Sequence, residues 1–433
     1  GASRRGARRG RSPATGRRGR PRVTRSGSAR TAVLWTAFLL VHAVVAVAGW
    51  ILPSQPMGDV VLVYEPWAGS ALSGGPVVGV TETWVYPQLA LLPMLAAKML
   101  SLPLVGGLGA SGAYLIAWAV MITALDALAF AVLTGRTSAQ PRRIAAWFWC
   151  AALLLLGPIA LYRIDAVTVP LAVIAGLWLT RRPVVAAALL AVGAWIKIWP
   201  GALLLGAIVA GRARVRMLFA AAFVTAGVIA VLFLLGARAE IFGFLTEQTG
   251  RGLQIEAVAA TPFLWLALTG AARIEYSFDI LTFQIAAPGA DAVGSALTPL
   301  MLLVVLGVVA IGAVKAARRA TFSRLFPPLS LSLVVVLIVV NKVGSPQFQT
   351  WLFAPVILWL VLDRTKAKVP AVIVLALAAL TCLIYPLNYD ALLRAELLPV
   401  LALSIRNILL LVLLAVGIRA LLRVPSTSPT VKE

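Results

Sequence analysis

Charged residues are scarce in this sequence. Asp, Glu, Lys and Arg make up only 12% of its 433 residues, whereas hydrophobic residues make up 61%. A soluble domain carries about 25% charged residues, so this composition excludes an ordinary soluble globule, and a disordered chain would hold far fewer apolar residues. Long unbroken apolar runs also exclude a membrane β-barrel, whose strands alternate apolar and polar residues. The composition therefore predicts an all-α, polytopic transmembrane helical bundle.

Histidine and cysteine are scarce as well. The only histidine, His42, and both cysteines, Cys150 and Cys382, lie inside apolar runs, where we interpret them as buried packing residues. This makes a serine–histidine triad, a disulfide and tight metal binding by imidazole or thiolate poor explanations. The sequence also lacks a phosphate loop, a paired-cysteine motif and an HExxH motif. We expect no metal and no cofactor, with carboxylate-bound Mg²⁺ or Mn²⁺ as the open alternative.

Positive charge is concentrated at the N-terminus. Eleven arginines fall within residues 1–31, where no acidic residue balances them, and the formal net charge of the chain is +23. A segment with so little to bury is expected to be a disordered cytoplasmic tail that fixes orientation. Attraction to anionic lipid, or nucleic-acid binding by a membrane-anchored protein, are the alternatives. We expect no nucleic-acid partner.

Thirteen apolar runs follow this tail. They lie near 32–52, 86–103, 111–134, 144–161, 166–180, 183–199, 200–211, 214–236, 294–314, 325–341, 349–362, 369–386 and 398–418. Several are shorter than the ~20 residues that a perpendicular span needs. The run 86–103, which contains Pro87, Pro93 and Lys98, is predicted to be an interfacial helix in the first outer loop. About twelve spans then form one transmembrane domain over 32–423, followed by a cytoplasmic tail at 424–433.

Short basic clusters between the runs set the expected orientation. They include Arg181/Arg182, Arg212/Arg214/Arg216 and Lys315/Arg318/Arg319/Arg324. The positive-inside rule assigns such clusters to the cytoplasm, together with both termini. The long segments 53–85 and 237–293 then lie outside, and twelve of the fifteen acidic residues fall on outer segments. A catalytic apparatus is therefore expected on the outer face.

The segment MGDVVLVYEPW follows the first predicted span directly and carries Asp59, Glu65 and Trp67, with Tyr86 further along the same loop. An interfacial loop with its aromatic belt explains the aromatic residues. It explains Asp59 less well, because an acid at the membrane edge loses solvation unless it is paired. The functional interpretation makes Asp59 a general base that takes a proton from an acceptor hydroxyl.

Charged residues also interrupt the middle spans. Arg163 and Asp165 lie at the outer end of one span, either as a local ion pair that holds a helix start or as acceptor contacts. Lys197 and Trp199 lie in AWIKIWP between two short runs. An unpaired lysine within a span costs about 2.5–3.5 kcal/mol, so a broken helix facing a cavity is predicted there. Lys197 would contact an anion or snorkel, and Trp199 would form a substrate wall.

Two further outer segments are polar. In TGRGLQIEAVAATP, Gly250 and Gly252 permit close backbone approach and Arg251 suits a phosphate oxygen, although a flexible turn is the plain alternative. In NKVGSPQFQTWL, Lys342 and Gln347 belong to a dense polar cluster between two spans. Cations, an apolar wall, amides and aromatics beside one carboxylate indicate sugar transfer from a lipid phosphate.

The quoted segments, together with WVYPQLALLP, resemble the integral-membrane glycosyltransferases of GT-C type, in glycosyltransferase family 87, the polyprenol-phosphate-mannose-dependent α-1,2-mannosyltransferases. The matching segments run from about residue 57 to 352. The Arg-, Ala- and Val-rich composition is compatible with an actinobacterial host. The resemblance implies a multi-pass protein of a bacterial plasma membrane.

The resemblance also implies residue roles. The family's essential acid in the first outer loop corresponds to Asp59, which would serve an inverting transfer of a hexose, expected to be mannose, from a polyprenyl-phosphate donor to a glycolipid or lipoglycan acceptor. Candidates for the donor phosphate are Lys197, Arg251 and Lys342. Candidates for the acceptor or sugar are Glu65, Trp67, Tyr86, Arg163, Asp165, Trp199 and Gln347. The alternative from another class is a transporter or flippase of lipid-linked sugars, although no convincing internal repeat supports it.

Overall fold

The protein forms a helical bundle in a computed structural model, which describes residues 25–135, 139–249, 251–277 and 282–426. Most of the two predicted tails therefore lies outside the described residues. Helix α1 begins at Arg25, earlier than the predicted start of the first span. Thus the last seven residues of the segment predicted as a tail, 25–31, form about the first two turns of a helix.

Helices account for most of the fold. The first half of the chain forms α1 (Arg25–Ile51), α2 (Glu65–Leu72), α3 (Leu91–Ser101), α4 (Val105–Thr134), α5 (Gln140–Leu156), α6 (Asp165–Trp178), α7 (Pro183–Ile196), α8 (Pro200–Ala210) and α9 (Arg214–Leu234). The second half forms α10 (Gly243–Thr249), α11 (Thr261–Leu268), α12 (Ala290–Ala317), α13 (Phe322–Val339), α14 (Phe353–Leu362), α15 (Arg364–Ile384), α16 (Tyr389–Leu393) and α17 (Leu397–Leu422). Short 3₁₀ turns connect several of these, and Val60–Tyr64 is a π-helix.

Eight helical segments in the described part of the chain are long and apolar enough to cross a membrane. They comprise α1, the segment containing α3 and α4, α5, α9, α12, α13, α15 and α17. Helices α9 and α12 turn much of their apolar surface outward, with Phe223 81% and Leu303 66% exposed. Exposed apolar helices on this scale are stable in lipid rather than in water. The chain is a multi-pass helical membrane protein.

Each predicted apolar run contains a helix, but five of these helices are short, namely α3 and four helices of the interior. Helices α6, α7, α8 and α14 have 10 to 14 residues, which covers at most about 21 Å of a hydrocarbon layer about 30 Å thick. They lie in the interior, and α14 is buried over nearly its whole length. Because these helices are shorter than the hydrocarbon layer, the loops at their ends lie within the bundle, just below the membrane surface. Polar residues can gather in these loops.

Helix α3 folds back against α4. The Tyr114 hydroxyl donates a hydrogen bond to the carbonyl of Met94 at 3.1 Å, although a continuous helix would separate these residues by about 30 Å. Gly109 has a left-handed φ of +71° and breaks the helix between them. The eleven residues of α3 cover only about 16 Å, so α3 is too short to span a bilayer by itself.

The segment between α11 and α12 contains a β-hairpin, which the sequence did not predict. Strands β1 (Arg273–Ser277) and β2 (Thr282–Ala286) pair antiparallel. The backbone of Ile255 and Leu253 also bonds to β2, through Phe283 and Ile285. Strands of five residues give too few alternating positions to stand out in an apolar sequence. The hairpin holds the segment after Arg251 in place.

Candidate active site

A strained turn precedes Asp59 and is held from two sides. Ser54 and Gln55 both have positive φ values, +60° and +48°, which residues with a side chain rarely adopt. The Tyr385 hydroxyl donates to the Ser54 carbonyl at 3.0 Å, and Nη1 of Arg163 donates to the Pro56 carbonyl at 2.7 Å. These two bonds fix the backbone that leads into Asp59.

Asp59 stands immediately before the π-helix Val60–Tyr64. Isolated π turns are rare and frequently occur at functional sites. Tyr64 is fully buried, and its hydroxyl accepts a hydrogen bond from the backbone N–H of Ile164 at 3.2 Å. The side chain of Asp59, in contrast, is 36% exposed. Its carboxylate is therefore anchored through its neighbours while remaining open to a substrate.

The carboxylate of Asp59 pairs with Arg163. Its Oδ2 lies 3.2 Å from Nε of Arg163, without the angle of a hydrogen bond. The other guanidinium nitrogens donate to the carbonyls of Pro56 and Tyr162 and to the Tyr385 hydroxyl. Burial opposes the charge on Arg163, but Asp59 and Tyr385 raise its pKa overall. Arg163 thus holds the Asp59 carboxylate by charge, and the lone pairs of the carboxylate oxygens remain available for a proton.

Asp165 has different partners, so the local Arg163–Asp165 ion pair considered from the sequence is wrong. The Asp165 side chain is fully buried at the start of α6, and its Oδ2 lies 3.6 Å from Nζ of Lys197. Its Oδ1 accepts a hydrogen bond from Nε1 of Trp351 at 2.5 Å. A carboxylate buried in this way cannot contact the substrate that receives the sugar. Asp165 therefore serves to hold Lys197 rather than to bind sugar.

Lys197 lies at the break between α7 and α8, as the sequence predicted. Its Nζ is 4.4 Å from the centre of the Tyr86 ring, a cation–π distance. Burial raises the pKa of Tyr86; the charge of Lys197 lowers it, and those of Asp59 and Asp165 raise it. All four residues therefore belong to one electrostatic cluster, with the first loop on one side and the α7–α8 break on the other.

Arg251 and Lys342 form the other side of this cluster. Burial lowers the pKa of both side chains, although Tyr86 and Glu247 partly oppose this at Arg251. The charge of Arg251 lowers the pKa of Lys342 further. The backbone N–H of Gln254 donates to the Lys342 carbonyl at 3.0 Å, which joins the segment after α10 to the segment after α13. Nε of Arg251 is buried and has no hydrogen-bond partner within the described ranges. Two cations that repel each other while partly dehydrated would be stabilised by an anion.

Glycines permit the close packing of these segments. A Cβ on Gly344 would lie 2.0 Å from the backbone nitrogen of Ala257, and one on Gly252 would lie 2.1 Å from Oε1 of Gln284. Gly252 therefore accommodates a neighbouring side chain of the protein. Gly250 lies outside the described residues.

The aromatic residues of the first loop form a compact group. The ring of Trp67 lies 6.4 Å from Tyr64, 5.3 Å from Trp84 and 6.1 Å from Tyr86, measured between ring centres. Edge-on and offset arrangements of this kind are favourable for aromatic pairs. Trp67 and Tyr86 remain partly exposed, whereas Tyr64 and Trp84 are buried. Trp67 and Tyr86 can thus offer ring faces to a sugar.

Glu65 and Gln347 bond to their own neighbours. Oε1 of Glu65 lies 2.9 Å from Nζ of Lys98 on α3, so Glu65 faces that helix rather than Asp59. The structure does not bring it into the Asp59 cluster. Gln347 is 9% exposed and accepts a hydrogen bond from the Ser345 hydroxyl.

Trp199 is a packing residue, which corrects the expected substrate wall. It is fully buried, its Nε1 donates to the Thr168 hydroxyl at 2.9 Å, and its ring stacks on Trp351 at 6.3 Å. No face of the ring is left for a ligand. The sequence could not distinguish a tryptophan that supports the α7–α8 break from one that lines it.

Sequence reasoning missed two contributions. Tyr385 bonds the turn before Asp59 and contacts Arg163, but in the sequence it looks like any aromatic residue at a span end. Arg406 on α17 holds Glu256 at 2.6 Å and also donates to its carbonyl at 2.8 Å. Burial raises the pKa of Glu256, whereas Arg406 and Arg163 lower it. An arginine inside an apolar run, Arg406, was the feature of the sequence that could have indicated the Glu256–Arg406 pair.

Positive charge is in excess around Asp59. Counted with the Glu256–Arg406 pair, the cluster contains three carboxylates and five cations: Asp59, Asp165, Glu256, Arg163, Lys197, Arg251, Lys342 and Arg406. In the part of the chain that the structure describes, no group of three or more His, Cys, Asp or Glu side chains could hold a metal ion. The arrangement can accept a proton at Asp59 and stabilise an anion at Arg251 and Lys342.

The chain has no match among known proteins in three comparisons. No protein-family model, no curated protein and no solved structure matches it. The inference of function therefore depends on the geometry of the side chains.

Proposed function

We propose that this protein is a membrane glycosyltransferase of GT-C type that moves a hexose, expected to be mannose, from a polyprenyl-phosphate donor to a hydroxyl of a glycolipid or lipoglycan. Asp59 is its general base, and the reaction inverts the sugar's configuration on the outer face of a bacterial plasma membrane. About twelve spans, with both termini cytoplasmic, carry the site.

One observation carries the proposal. Among the acids of the buried charge cluster, Asp59 is the accessible one, at 36% exposure, whereas Asp165 and Glu256 are 0% and 3% exposed. A general base must reach the hydroxyl it deprotonates. Beside it lie cations suited to a phosphate and partly exposed aromatic rings suited to a sugar.

The proposed step is a single displacement. The acceptor oxygen attacks C1 of the donor sugar while its proton passes to a carboxylate oxygen of Asp59. The bond between C1 and the phosphate oxygen breaks, and its electron pair leaves with the polyprenyl phosphate. Arg251 and Lys342 stabilise the charge of this leaving group. Arg163 holds Asp59 in position throughout.

The test uses the purified full chain with radiolabelled polyprenyl-phosphate mannose and a lipid extract as acceptor source. Asp59→Asn should lower transfer by at least about 100-fold, within the range that general bases contribute. Asp390→Asn, an exposed acid on the short helix α16, is the matched control and should retain transfer.

Near-normal transfer by a well-folded Asp59→Asn variant would exclude Asp59 as the base. Movement of the labelled lipid across liposomes without any acceptor, unchanged in that variant, would instead favour a flippase.

A further inference from the structure

A second charged site lies at the opposite end of the bundle from Asp59. A cavity of about 980 Å³ opens between the α6–α7 turn, the α8–α9 turn and the α12–α13 turn. Helices α6 and α8 begin at the cluster around Asp59 and end at this cavity, whereas α13 begins at the cavity and ends just before Lys342. The cavity is therefore separate from the proposed transfer site by the length of these helices.

Arginines dominate the polar lining of the cavity. They are Arg181, Arg212, Arg214, Arg216 and Arg319, and no acidic residue lines it. Within the described ranges, none of the five takes part in a salt bridge. The nearest acid in sequence to a lining residue, Asp363, accepts a hydrogen bond from Thr365. All five arginines are exposed to solvent, and together they give the cavity a single sign of charge that attracts an anion.

Three helices also begin at this cavity. Pro183 of α7, Arg214 of α9 and Phe322 of α13 stand at their N-termini, and all three line it. Because proline has no backbone N–H, the free N–H groups come from α9 and α13. The N-cap residue of α13, Thr321, also lines the cavity and makes no capping hydrogen bond with its side chain. Backbone N–H groups at helix N-termini bind anions, and phosphate oxygens in particular. The helix N-termini at this cavity therefore favour an anion, as the arginines do.

The positive-inside rule accounts for basic residues on this face but not for their position. Orientation needs only the charge, in any arrangement within the short loops. Here three turns that are distant in sequence direct their arginines into one cavity, beside apolar side chains such as Leu179, Met217 and Leu362. A cavity with charged and apolar walls at the ends of membrane helices fits a molecule that has both a phosphate and acyl chains.

We infer that this cavity binds the phosphate of an anionic phospholipid from the Arg-rich leaflet. The arginines and helix N-termini contact the phosphate oxygens, and the apolar residues contact the start of the acyl chains. The site holds the three turns together from the side opposite the proposed transfer site.

The experiment is lipid binding by native mass spectrometry on the purified, delipidated full chain, titrated with dioleoyl phosphatidylglycerol or dioleoyl phosphatidylcholine. The cavity variant is Arg212→Gln/Arg216→Gln/Arg319→Gln. The control variant, Lys366→Gln/Lys368→Gln/Arg423→Gln, removes the same charge from the same end of the bundle but outside the cavity. A third variant carries Arg→Lys at the three cavity positions, which keeps the charge and removes the planar fork.

We expect the unaltered chain and the control variant to prefer phosphatidylglycerol, and the cavity variant to bind it on the order of 100-fold more weakly, at roughly fivefold per arginine. The lysine variant should bind with intermediate affinity, which also guards against a cavity variant that fails to fold. Equal phosphatidylglycerol binding by the cavity and control variants would overturn the inference. Displacement of the lipid by inorganic phosphate or glycerol phosphate alone would overturn its assignment to a lipid.

Discussion

Asp59 and Arg163 approach each other to 3.2 Å although 104 positions separate them in the chain. The pair joins the loop after α1 to the start of α6, and Arg163 also bonds the backbone of the turn that carries Asp59. Position and charge at the carboxylate are thus controlled by one guanidinium group. The other nitrogens of Arg163 donate to Pro56, Tyr162 and Tyr385, so we assign it to positioning Asp59 rather than to the acceptor contact considered from the sequence.

Replacing Arg163 by lysine should lower kcat more than it raises KM for the donor. Lysine keeps the positive charge but has one nitrogen in place of three. It cannot bond Pro56 as Nη1 does and Tyr385 as Nη2 does while another nitrogen faces Asp59. Misplacement of a catalytic group by about 1 Å costs on the order of 100-fold in rate. Steady-state kinetics with labelled donor measures the split between the two constants.

The control for this variant is Arg182→Lys, because Arg182 is exposed and packs on Trp178 at the far end of α6. A change in donor KM alone in Arg163→Lys would show that Arg163 binds donor rather than positioning Asp59.

Asp165→Asn should destabilise the protein strongly. Asn keeps the acceptor for Trp351 but leaves Lys197, with a side chain only 13% exposed, without its carboxylate. Removing one partner of a buried ion pair costs about 3–5 kcal/mol. The double variant Asp165→Asn/Lys197→Met should recover most of the free energy of unfolding, as measured by thermal unfolding in detergent micelles.

Variants of Lys197 can distinguish a role in anion binding from a purely structural role as the partner of Asp165. Lys197→Ala should weaken donor use more than Lys197→Arg if the charge beside Tyr86 contacts an anion. Equal effects of the two changes on donor KM, with the stability loss of Asp165→Asn relieved in the double variant, would assign Lys197 to structure alone.

Donor binding should weaken with rising pH in the alkaline range. The pKa of Lys342 is lowered by burial and by Arg251, so its charge is lost at a lower pH than that of an ordinary lysine. Between the lowered pKa and the ordinary value, the unfolded chain binds more protons than the folded one, and stability should rise with pH there. Donor affinity and stability are therefore expected to change in opposite directions in this window.

Lys342→Arg should remove this pH dependence of donor KM, because a guanidinium stays charged throughout. A decline in donor affinity that persists unchanged in Lys342→Arg would show that another group titrates.

Much of the fold could be predicted from the sequence because apolar runs and Pro or Gly breaks are local signals. The break around Lys197 and the acid after the first helix were found in this way. The partners of the charged residues could not be predicted, because pairing is set by packing between distant segments. Arg163 and Asp165 are two positions apart but face different partners, Asp59 and Lys197.

Burial was equally hard to predict for single aromatic residues. Trp67 and Trp199 both stand beside charged positions in the sequence, yet only Trp67 keeps an exposed ring. Short strands were missed because two five-residue segments carry little periodicity. The residue types at the candidate site could thus be read from the sequence, whereas their pairing and burial required the tertiary structure.

His42 and Asp126 form a buried pair that should contribute to stability and not to transfer. Nε2 of His42 on α1 lies 3.1 Å from Oδ2 of Asp126 on α4, and Nδ1 lies 2.8 Å from the carbonyl of Phe38. Both residues are about 2% exposed. Replacing either one by alanine leaves the other polar group buried without its partner and should cost about 3–5 kcal/mol of unfolding free energy.

The double variant His42→Leu/Asp126→Leu should be far more stable than either single alanine variant, since well-packed apolar residues often replace a buried pair at little or no cost. Its transfer activity should equal that of the unaltered chain. Thr123→Val, which removes only a hydroxyl bonded to its own helix, controls for changes on α4. If the double variant folds normally but loses transfer, the pair must take part in the reaction. The loss of activity could not then be explained by a loss of stability, and an ionisable pair between membrane helices is often functional.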